Sequence, residues 1–201
     1  MRICKLVIII LSLSFAPCQA TQSYKHLPCG VKVSLTGGTL SIYPISDNAV
    51  RIKYSENKGD SLPELILIQD KPVPAFKVSD TSDMLVITLR DMQVILDKSS
   101  GRLSYADRSG NIFLSEIAGG RRLVADSVMG EKCYLTEQVF DSPAGESIFG
   151  LGQFQDGHYD IRGISRRLTQ VNSQIALPFI YSVRGYGLLW HQYGMTEYNP
   201  A

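Results

Sequence analysis

An alternation of apolar and polar residues with a period of two runs from Val31 to Tyr134, and it restricts this chain to extended structure more than any other feature. Successive side chains of a β-strand point to opposite faces, so alternate apolar residues line one side of a strand and need a facing layer. The alternating runs are Leu40 and Ile42; Val50, Ile52 and Tyr54; Leu85, Ile87 and Leu89; and Met92, Val94 and Leu96. No capped amphipathic helix stands between them. The pattern therefore predicts an all-β protein.

Turn-forming residues separate these runs. Gly and Asn adopt the positive backbone angles that tight hairpins need, which favours short antiparallel connections. Such groups stand at Gly37-Gly38, at Ser46 to Asn48, at Ser99 to Gly101 and at Asp107 to Asn111. The segment from Met84 to Glu116 is predicted to be an antiparallel meander, and the fold class is predicted to be an antiparallel β-sandwich. Residues 21–201 are predicted to form one domain, because their number suits a single core.

The first twenty residues have the pattern of a secretory signal peptide. Arg2 and Lys5 form a positive region, Leu6 to Phe15 is apolar but too short to span a bilayer, and small residues follow. The sequence therefore predicts an exported protein, located in the periplasm or outside the cell. Lipid attachment at Cys18 is the less favoured alternative, because Pro17 fits a lipoprotein cleavage site poorly.

Charge and cysteine content limit the classes of partner. The chain has 20 Lys and Arg against 19 Asp and Glu, and Arg2 and Lys5 are the only charged residues of the first twenty, so residues 21–201 carry a net charge of −1. This balance favours neither nucleic acid nor an anionic membrane surface. No second apolar span follows the signal peptide, so no membrane span is predicted.

Cys29 and Cys133 are either a disulfide of an exported protein or two separate buried thiols. No zinc-ligand spacing surrounds them, and no metal or cofactor is predicted.

Candidate catalytic groups are few. Asp156 and Asp160 could form a carboxylate pair for general acid and base work on a glycosidic bond, but their Gly-rich surroundings favour a role in turns. His158 and His191 lack acidic or Cys neighbours at metal-ligand spacing, which favours structural or surface roles. The sequence contains no Gly-flanked Ser nucleophile motif, phosphate loop or dinucleotide fingerprint. No catalytic residue is predicted.

The segment from Phe149 to Ala201 is rich in Gly, aromatic and amide residues, the types that stack on sugar rings and bind their hydroxyl groups. Its blocks, in order, are Gly150-Leu151-Gly152-Gln153, Arg162-Gly163, Leu168-Thr169-Gln170-Val171-Asn172, Ala176-Leu177-Pro178-Phe179 and Gly185-Tyr186-Gly187-Leu188-Leu189-Trp190. In order and spacing this segment resembles the N-terminal, galactose mutarotase-like β-sandwich domain of glycoside hydrolase family 31. The resemblance is greatest to the secreted bacterial α-xylosidases of that family.

The resemblance implies where the chemistry resides. In that family two aspartates on a (β/α)₈ barrel, which follows this domain in the chain, carry out retaining hydrolysis. The sequence stops before any barrel, so we expect a truncated or fragmentary product without hydrolysis of its own. The sandwich of that family packs on the barrel and lends a loop to the rim of the sugar pocket, which corresponds here to Arg167 to Ser173. The implied partners are the barrel and a xylose- or glucose-containing oligosaccharide.

Within this loop, the resemblance implies that Gln170 and Asn172 present amides to sugar hydroxyls. Arg166 and Arg167 would steer the sugar or pair with an acidic rim, and Arg167 is included in the predicted substrate-binding set. The alternative for Gln170 and Asn172 is that their amides satisfy the backbone of the loop.

Other residues of the segment are predicted to be scaffold. Gly150 suits tight turns or close backbone approach. Tyr186 and Trp190 could form a stacking platform, but their alternation favours packing. Pro178 is predicted at the edge or entry of a strand.

Two other functions stay open: a stand-alone carbohydrate-binding module, which needs an exposed aromatic platform, and a mutarotase-like epimerase, which needs a His and a carboxylate across a groove.

Overall fold

The computed structural model describes residues 20–56, 65–67 and 72–200, and these contain fifteen strands and no helix. The first sheet has the order β1-β2-β3-β4 and consists of Thr21–Leu27, Gly30–Leu35, Gly38–Ser46 and Ala49–Ser55. The second has the order β10-β9-β8-β7-β6-β5, and in chain order its strands are Lys77–Asp80, Met84–Thr88, Met92–Asp97, Leu103–Asp107, Ile112–Val128 and Glu131–Phe140. All neighbouring strands are antiparallel.

The apolar residues of the two sheets form one core between them. Val31, Val33, Leu40 and Ile42 of the first sheet and Leu85, Val94, Leu96 and Leu103 of the second are fully buried in the same cluster. Burying a side chain of this size stabilises the fold by about 1.5–3 kcal/mol, so the period-two runs supply the main driving force for folding. The predicted β-sandwich is confirmed, and so is the meander, since β6, β7, β8 and β9 pair in sequence.

The predicted turns connect these strands. Gly37, Gly101 and Gly110 adopt φ values of 98°, 69° and 87°, a region that side chains other than that of Gly rarely enter. In the β8–β9 turn the Asp107 carboxylate accepts hydrogen bonds from the backbone N–H groups of Ser109 (2.8 Å) and Asn111 (2.9 Å). These carboxylate bonds satisfy backbone groups that the strands leave unpaired.

A wide bulge divides β9 into two parts. Glu116 pairs with Phe140 and Arg121 with Gln138, so the four residues from Ile117 to Gly120 lie opposite Val139 alone. Beyond the bulge, the paired segments 121–128 and 131–138 form a two-stranded ribbon with little buried surface, which we call the arm. Glu116 and Arg121, both less than a tenth exposed, form an ion pair across the bulge and fix the base of the arm.

The last third of the chain forms two smaller sheets. The strands β11, β12, β13, β14 and β15 are Ile148–Gln153, Arg166–Leu168, Ile175–Ser182, Tyr186–Leu189 and Thr196–Tyr198. β13 lies between β11 and β14 in a three-stranded sheet, and β12 pairs with β15. Ile148, Leu151 and Ile161 form a second buried cluster, while Tyr186 and Leu188 of β14 pack on the main core. The segment is thereby attached to the sandwich through side-chain packing.

The Gly150-Leu151-Gly152 motif brings β11 close to β13. All three residues have positive φ (118°, 63° and 97°), and a Cβ at Gly152 would lie 2.1 Å from the carbonyl oxygen of Ile175. The predicted close backbone approach is confirmed. The prediction for Pro178 is wrong, because it lies inside the central strand β13. The carbonyl oxygen of Pro178 accepts the N–H of Trp190 (2.8 Å), so the missing N–H of Pro178 faces Trp190, just past the last residue of β14, and removes no bond of the β13–β14 ladder.

Both cysteines of the sandwich are free thiols: Cys29 is exposed and Cys133 is half-buried. The structure thus contains neither the disulfide nor the pair of buried thiols that the sequence allows. The predicted signal peptide, residues 1–20, lies outside the described residues except for Ala20. Among the residues that the structure describes, no helix is long and apolar enough to cross a membrane.

Candidate functional site

The loop that the sequence singles out is a small hairpin at the start of β13. Val171 and Gln174 exchange both backbone hydrogen bonds (N···O distances of 3.3 and 3.1 Å), so Asn172 and Ser173 form its tip. Asn172 is exposed, and its side chain has no hydrogen-bond partner among the described residues. The hairpin therefore presents the Asn172 amide to whatever occupies the space beyond the tip.

Two glutamine side chains brace this hairpin. Gln170 donates from Nε2 to the carbonyl oxygen of Ala176 (2.8 Å) and accepts from the Ala176 N–H at Oε1 (3.2 Å). Gln174 donates from Nε2 to the carbonyl oxygen of Thr169 (2.9 Å). For Gln170 the structure thus has the alternative arrangement, in which the amide satisfies the loop backbone. A sugar contact by Gln170 stays a prediction and requires these two bonds to open.

The two arginines beside the hairpin pair with acidic residues of this chain. Arg167 on β12 donates from Nε (2.9 Å) and Nη2 (2.7 Å) to one oxygen of Glu197 on β15, at the surface. Arg166 is buried, donates to Asp156 (2.6 Å) and lies 4.2 Å above the ring of Phe154. Arg166 is part of the scaffold, whereas the predicted contact of Arg167 with a sugar stays a prediction.

A shallow pocket lies next to the hairpin. Its volume is about 150 Å³, and its walls come from β12, β13 and the chain before β15, including Gln170, Pro178 and Gln192. Gln192 accepts the N–H of Gly194 at Oε1 (3.2 Å), which shapes the wall facing Gln170. The hairpin and the pocket thus lie together at the beginning of β13, next to the strands β12 and β15 that hold the Arg167–Glu197 pair.

The exposed side of β13 is apolar along its whole length. Ile175, Leu177, Phe179 and Tyr181 are between 42% and 54% exposed, while the alternate residues Ala176 and Ser182 are buried. On β11, Phe149 packs on Tyr181 (ring centroids 5.1 Å apart) and on Tyr159 (4.9 Å). We call this surface, formed by Phe149, Tyr159, Ile175, Leu177, Phe179, Tyr181 and Leu189, the outer face. A contiguous apolar surface of this kind is typical of an interaction site.

The candidate carboxylates hold turns in place. Asp156 accepts the backbone N–H of His158 (3.1 Å), and this bond together with Arg166 lowers the pKa of Asp156. Asp160 accepts the backbone N–H groups of Arg162 (3.0 Å) and Ile148 (3.1 Å), which likewise lowers its pKa. A general acid needs a raised pKa. The turn role favoured by the sequence is therefore confirmed for both aspartates.

The histidines have structural or surface positions, as expected. His158 is exposed. His191 is bonded at Nδ1 to Arg51 (3.0 Å) and at Nε2 to the Tyr193 hydroxyl (2.7 Å). Since arginine only donates, Nδ1 accepts and Nε2 carries the proton. Burial, and then Arg51 and Lys53, lower the pKa of His191. The described residues contain no group of His, Cys, Asp and Glu that could hold a metal ion.

The outer face is the feature that sequence reasoning missed. For Tyr186 the favoured prediction of packing is confirmed, because its ring packs against Phe113 (6.0 Å) and its hydroxyl donates to the buried Glu146 (2.7 Å). The signal for the outer face is present in the sequence, because apolar residues stand at both the odd and the even positions of β13. A strand with two apolar faces needs a layer on each side.

Comparisons with known proteins agree with this geometry. The family described as "Glycosyl hydrolase 31 N-terminal galactose mutarotase-like domain" matches residues 39–199. The α-xylosidase of Saccharolobus solfataricus is 30% identical over 162 residues, which cover 75% of this chain and 22% of that protein. A family 31 α-xylosidase structure from Xanthomonas citri superposes with a TM-score of 0.80 at 28% identity, covering 86% of this chain and 19% of that chain. One from a soil metagenome, solved with xylose, gives a TM-score of 0.77 at 25% identity, covering 90% and 29%. The chain thus spans less than a third of the length of these relatives.

Proposed function

This chain belongs to the glycosyl hydrolase 31 N-terminal galactose mutarotase-like domain family, and from that premise we propose that it serves an exported α-glycosidase as scaffold and substrate-loop domain. In this proposal a (β/α)₈ barrel carries the two catalytic aspartates and cleaves O-glycosyl bonds by a retaining mechanism. The substrate is a xylose- or glucose-containing oligosaccharide. The similarity to α-xylosidases in sequence and structure supports this substrate class.

The observation that carries the proposal is the outer face, together with the hairpin at its end. The outer face is apolar, whereas Ile180 on the inner side of β13 already packs on the second buried cluster. We infer that the barrel packs on the outer face. Such packing would bury Leu177 and Phe179 and would hold the hairpin at the rim of the sugar pocket.

Within the hairpin we assign the residues different roles. Asn172 contacts a sugar hydroxyl, because its amide is exposed and unpaired within the described chain. Gln170 and the Arg167–Glu197 pair keep the hairpin in place for that contact. The carbonyl and NH₂ groups of an amide accept and donate hydrogen bonds, so one side chain suits the mixed hydrogen bonding of a sugar.

A chimera tests the contact. Residues 21–200 of this chain replace the N-terminal domain of the Xanthomonas citri α-xylosidase, and hydrolysis of p-nitrophenyl α-xyloside is followed. Loss of one hydrogen bond costs about 0.5–1.5 kcal/mol, so Asn172→Ala should lower kcat/KM about 2- to 13-fold. Gln138→Ala on the arm, the matched loss of an amide, should leave it unchanged. An unchanged kcat/KM in Asn172→Ala would exclude the contact.

Complementation tests the barrel contact. The chain is mixed with the separately expressed remainder of the Xanthomonas citri enzyme, and recovery of xylosidase activity is measured. Leu177→Asp or Phe179→Asp should abolish recovery, because a carboxylate would be buried without a partner. Val128→Asp, a matched change at an exposed position of the arm, should have no effect. Equal recovery by all variants would show that the outer face is not the barrel contact.

A carbohydrate-binding module is the second candidate, and the exposed rings of Tyr159 and Tyr181 favour it. Their hydroxyls lie 3.5 Å apart and both rings pack on Phe149, which forms an aromatic surface suited to sugar stacking. Titration with xylose-containing oligosaccharides should then show binding that Tyr159→Ala removes. No specific observation favours the epimerase alternative. Polarimetry would detect mutarotase activity.

A further inference from the structure

A second pocket lies at the other end of β13 from the hairpin. Its volume is about 440 Å³, within the range of about 300–1,000 Å³ that is usual for small-molecule sites. The turns β3–β4, β6–β7, β8–β9 and β13–β14 all contribute to it. The hairpin precedes β13 and the β13–β14 turn follows it, so the eight residues of this strand separate the two places by roughly 25 Å.

Carboxylate and amide groups form one side of this pocket. Asp91 and Asp107 contribute the carboxylates, and Asn48 and Asn111 the amides. Asp107 accepts from Asn111 Nδ2 (2.9 Å), which orients that amide so that its oxygen is left for a ligand. The N–H of Asp91 donates to the carbonyl oxygen of Asp47 (3.0 Å) and joins two of the turns. These groups are therefore held in place without a ligand.

The guanidinium of Arg184 lines the pocket beside these carboxylates and amides. Arg184, in the β13–β14 turn, donates from Nη2 to the carbonyl oxygen of Ile112 (2.9 Å), which ties this turn to β9. Its Nη1 and Nε have no partner among the described residues. Guanidinium groups hold a fixed planar fork of donors, so these nitrogens can bind neighbouring hydroxyl oxygens.

The floor of the pocket is apolar. Met92 is buried, Ile112 is half exposed, and Phe113 is half-buried with its ring stacked on Tyr186. A flat apolar floor next to a few convergent polar groups is the composition of sites for small polar molecules that have an apolar face. The pyranose ring is such a molecule, since its C–H groups form an apolar face and its hydroxyls lie at the rim.

We propose that this pocket is a second, non-catalytic binding site for a neutral saccharide. Hydroxyl groups donate to the carboxylates of Asp91 and Asp107 and accept from Asn48 and Arg184, while the ring lies on Phe113. Arg90 pairs with Asp91 (3.0 Å) and with Asp47 (2.8 Å), so three carboxylates stand against the guanidiniums of Arg90 and Arg184. The resulting net negative charge disfavours acidic sugars and other anions. The site is independent of the function proposed above, because it lies at the other end of β13 and needs no barrel.

NMR titration of the full chain tests this site. The probes are methyl α-D-glucopyranoside and methyl α-D-xylopyranoside, with D-glucuronate as the charged counterpart, and the readout is the side-chain amide signals of Asn48 and Asn111. Saturable shifts are expected with at least one neutral probe. Asp91→Ala/Arg184→Ala should raise the Kd about tenfold or more, since charge-assisted hydrogen bonds are lost. Asn172→Ala, at the hairpin, should leave the Kd unchanged.

Four results would overturn the proposal. One is the absence of saturable shifts at Asn48 and Asn111 with both neutral probes. Another is a Kd that Asp91→Ala/Arg184→Ala leaves unchanged, with amide spectra that show a folded variant. A third is tighter binding of glucuronate than of the neutral sugars, which would identify an anion site around Arg184. Binding that Asn172→Ala alone abolishes would overturn this site and support the substrate loop, so the two proposals fail separately.

Discussion

The ion pair at the base of the arm permits a quantitative prediction. Glu116 accepts hydrogen bonds from the backbone N–H of Leu103 (3.0 Å) and from Arg121, and Arg121 also donates to the carbonyl oxygen of Gly101 (3.3 Å). Burial raises the pKa of Glu116 although Arg121 opposes this, so holding the charge inside the protein is costly. Each charge of the pair therefore mainly offsets the cost of burying the other, and the pair as a whole adds little net free energy to the stability of the fold.

Removing one partner leaves the other as an uncompensated buried charge. Glu116→Gln or Arg121→Met should each lower the free energy of unfolding by about 3–5 kcal/mol. For a chain of this size that corresponds to roughly 6–20 °C in Tm. In Glu116→Leu/Arg121→Met no charge of the pair is left; the Leu103 N–H and the Gly101 carbonyl lose partners, and the Tyr54 ring loses the guanidinium that lies 5.4 Å from its centroid. The double variant should cost about 1–3 kcal/mol, less than either single change.

Urea unfolding followed by circular dichroism at low protein concentration measures these differences. Arg122→Met is the matched control, because Arg122 pairs with Glu137 at 3.1 Å on the exposed surface of the same ribbon. Exposed pairs contribute about 0–1 kcal/mol, so this variant should unfold almost like the parent chain. If the double variant cost as much as the two single changes together, the two charges would be independent and the reasoning would be refuted.

Three further predictions concern other parts of the chain. Gly152→Ala should destabilise more than Gly157→Ala, because both positions have positive φ but only a Cβ at Gly152 meets backbone; equal thermal shifts would contradict this. The folded-state pKa of His191 is lowered, so its stabilising contribution is complete above the unfolded pKa, near 6.5, and is lost as pH falls below it. Urea titrations from pH 8 to 5 should show this loss in the parent chain and not in His191→Asn. The exposed outer face is expected to make the chain self-associate, and Leu177→Lys/Phe179→Lys should reduce this association in sedimentation velocity. Unchanged association would argue that the outer face does not cause it.

The sandwich was predictable because its strands have one polar and one apolar face. The alternation through Leu85 and Ile87 specifies both the strand and the side that is buried, and the turns supply the connections. The position of Pro178 was not predictable in this way. A proline fits inside a strand where its missing N–H faces no ladder partner, and for Pro178 this depends on where β14 ends, at Leu189.

The candidate loop could be located from the sequence, whereas the contacts of its side chains could not. Sequence blocks locate the loop that contains Gln170 and Asn172, yet the two amides look alike in a sequence. Their difference arises from geometry, because Gln170 reaches the backbone of Ala176 while Asn172 lies at the tip of a two-residue turn. The charge partner of Arg167, thirty residues away in sequence, likewise depends on how β12 and β15 pair, and that of Arg166, ten residues away, depends on the path of the chain between β11 and β12.

The positive backbone angles of Gly150, Leu151 and Gly152 have a consequence for how such chains are classified. A side chain at either glycine would meet backbone of β13, so the motif is required by the path of the main chain and not by any ligand. Sequences that share it share a scaffold, whatever sugar they encounter. A search that relies on this motif therefore groups proteins by architecture, and substrate preference has to be assigned from other residues.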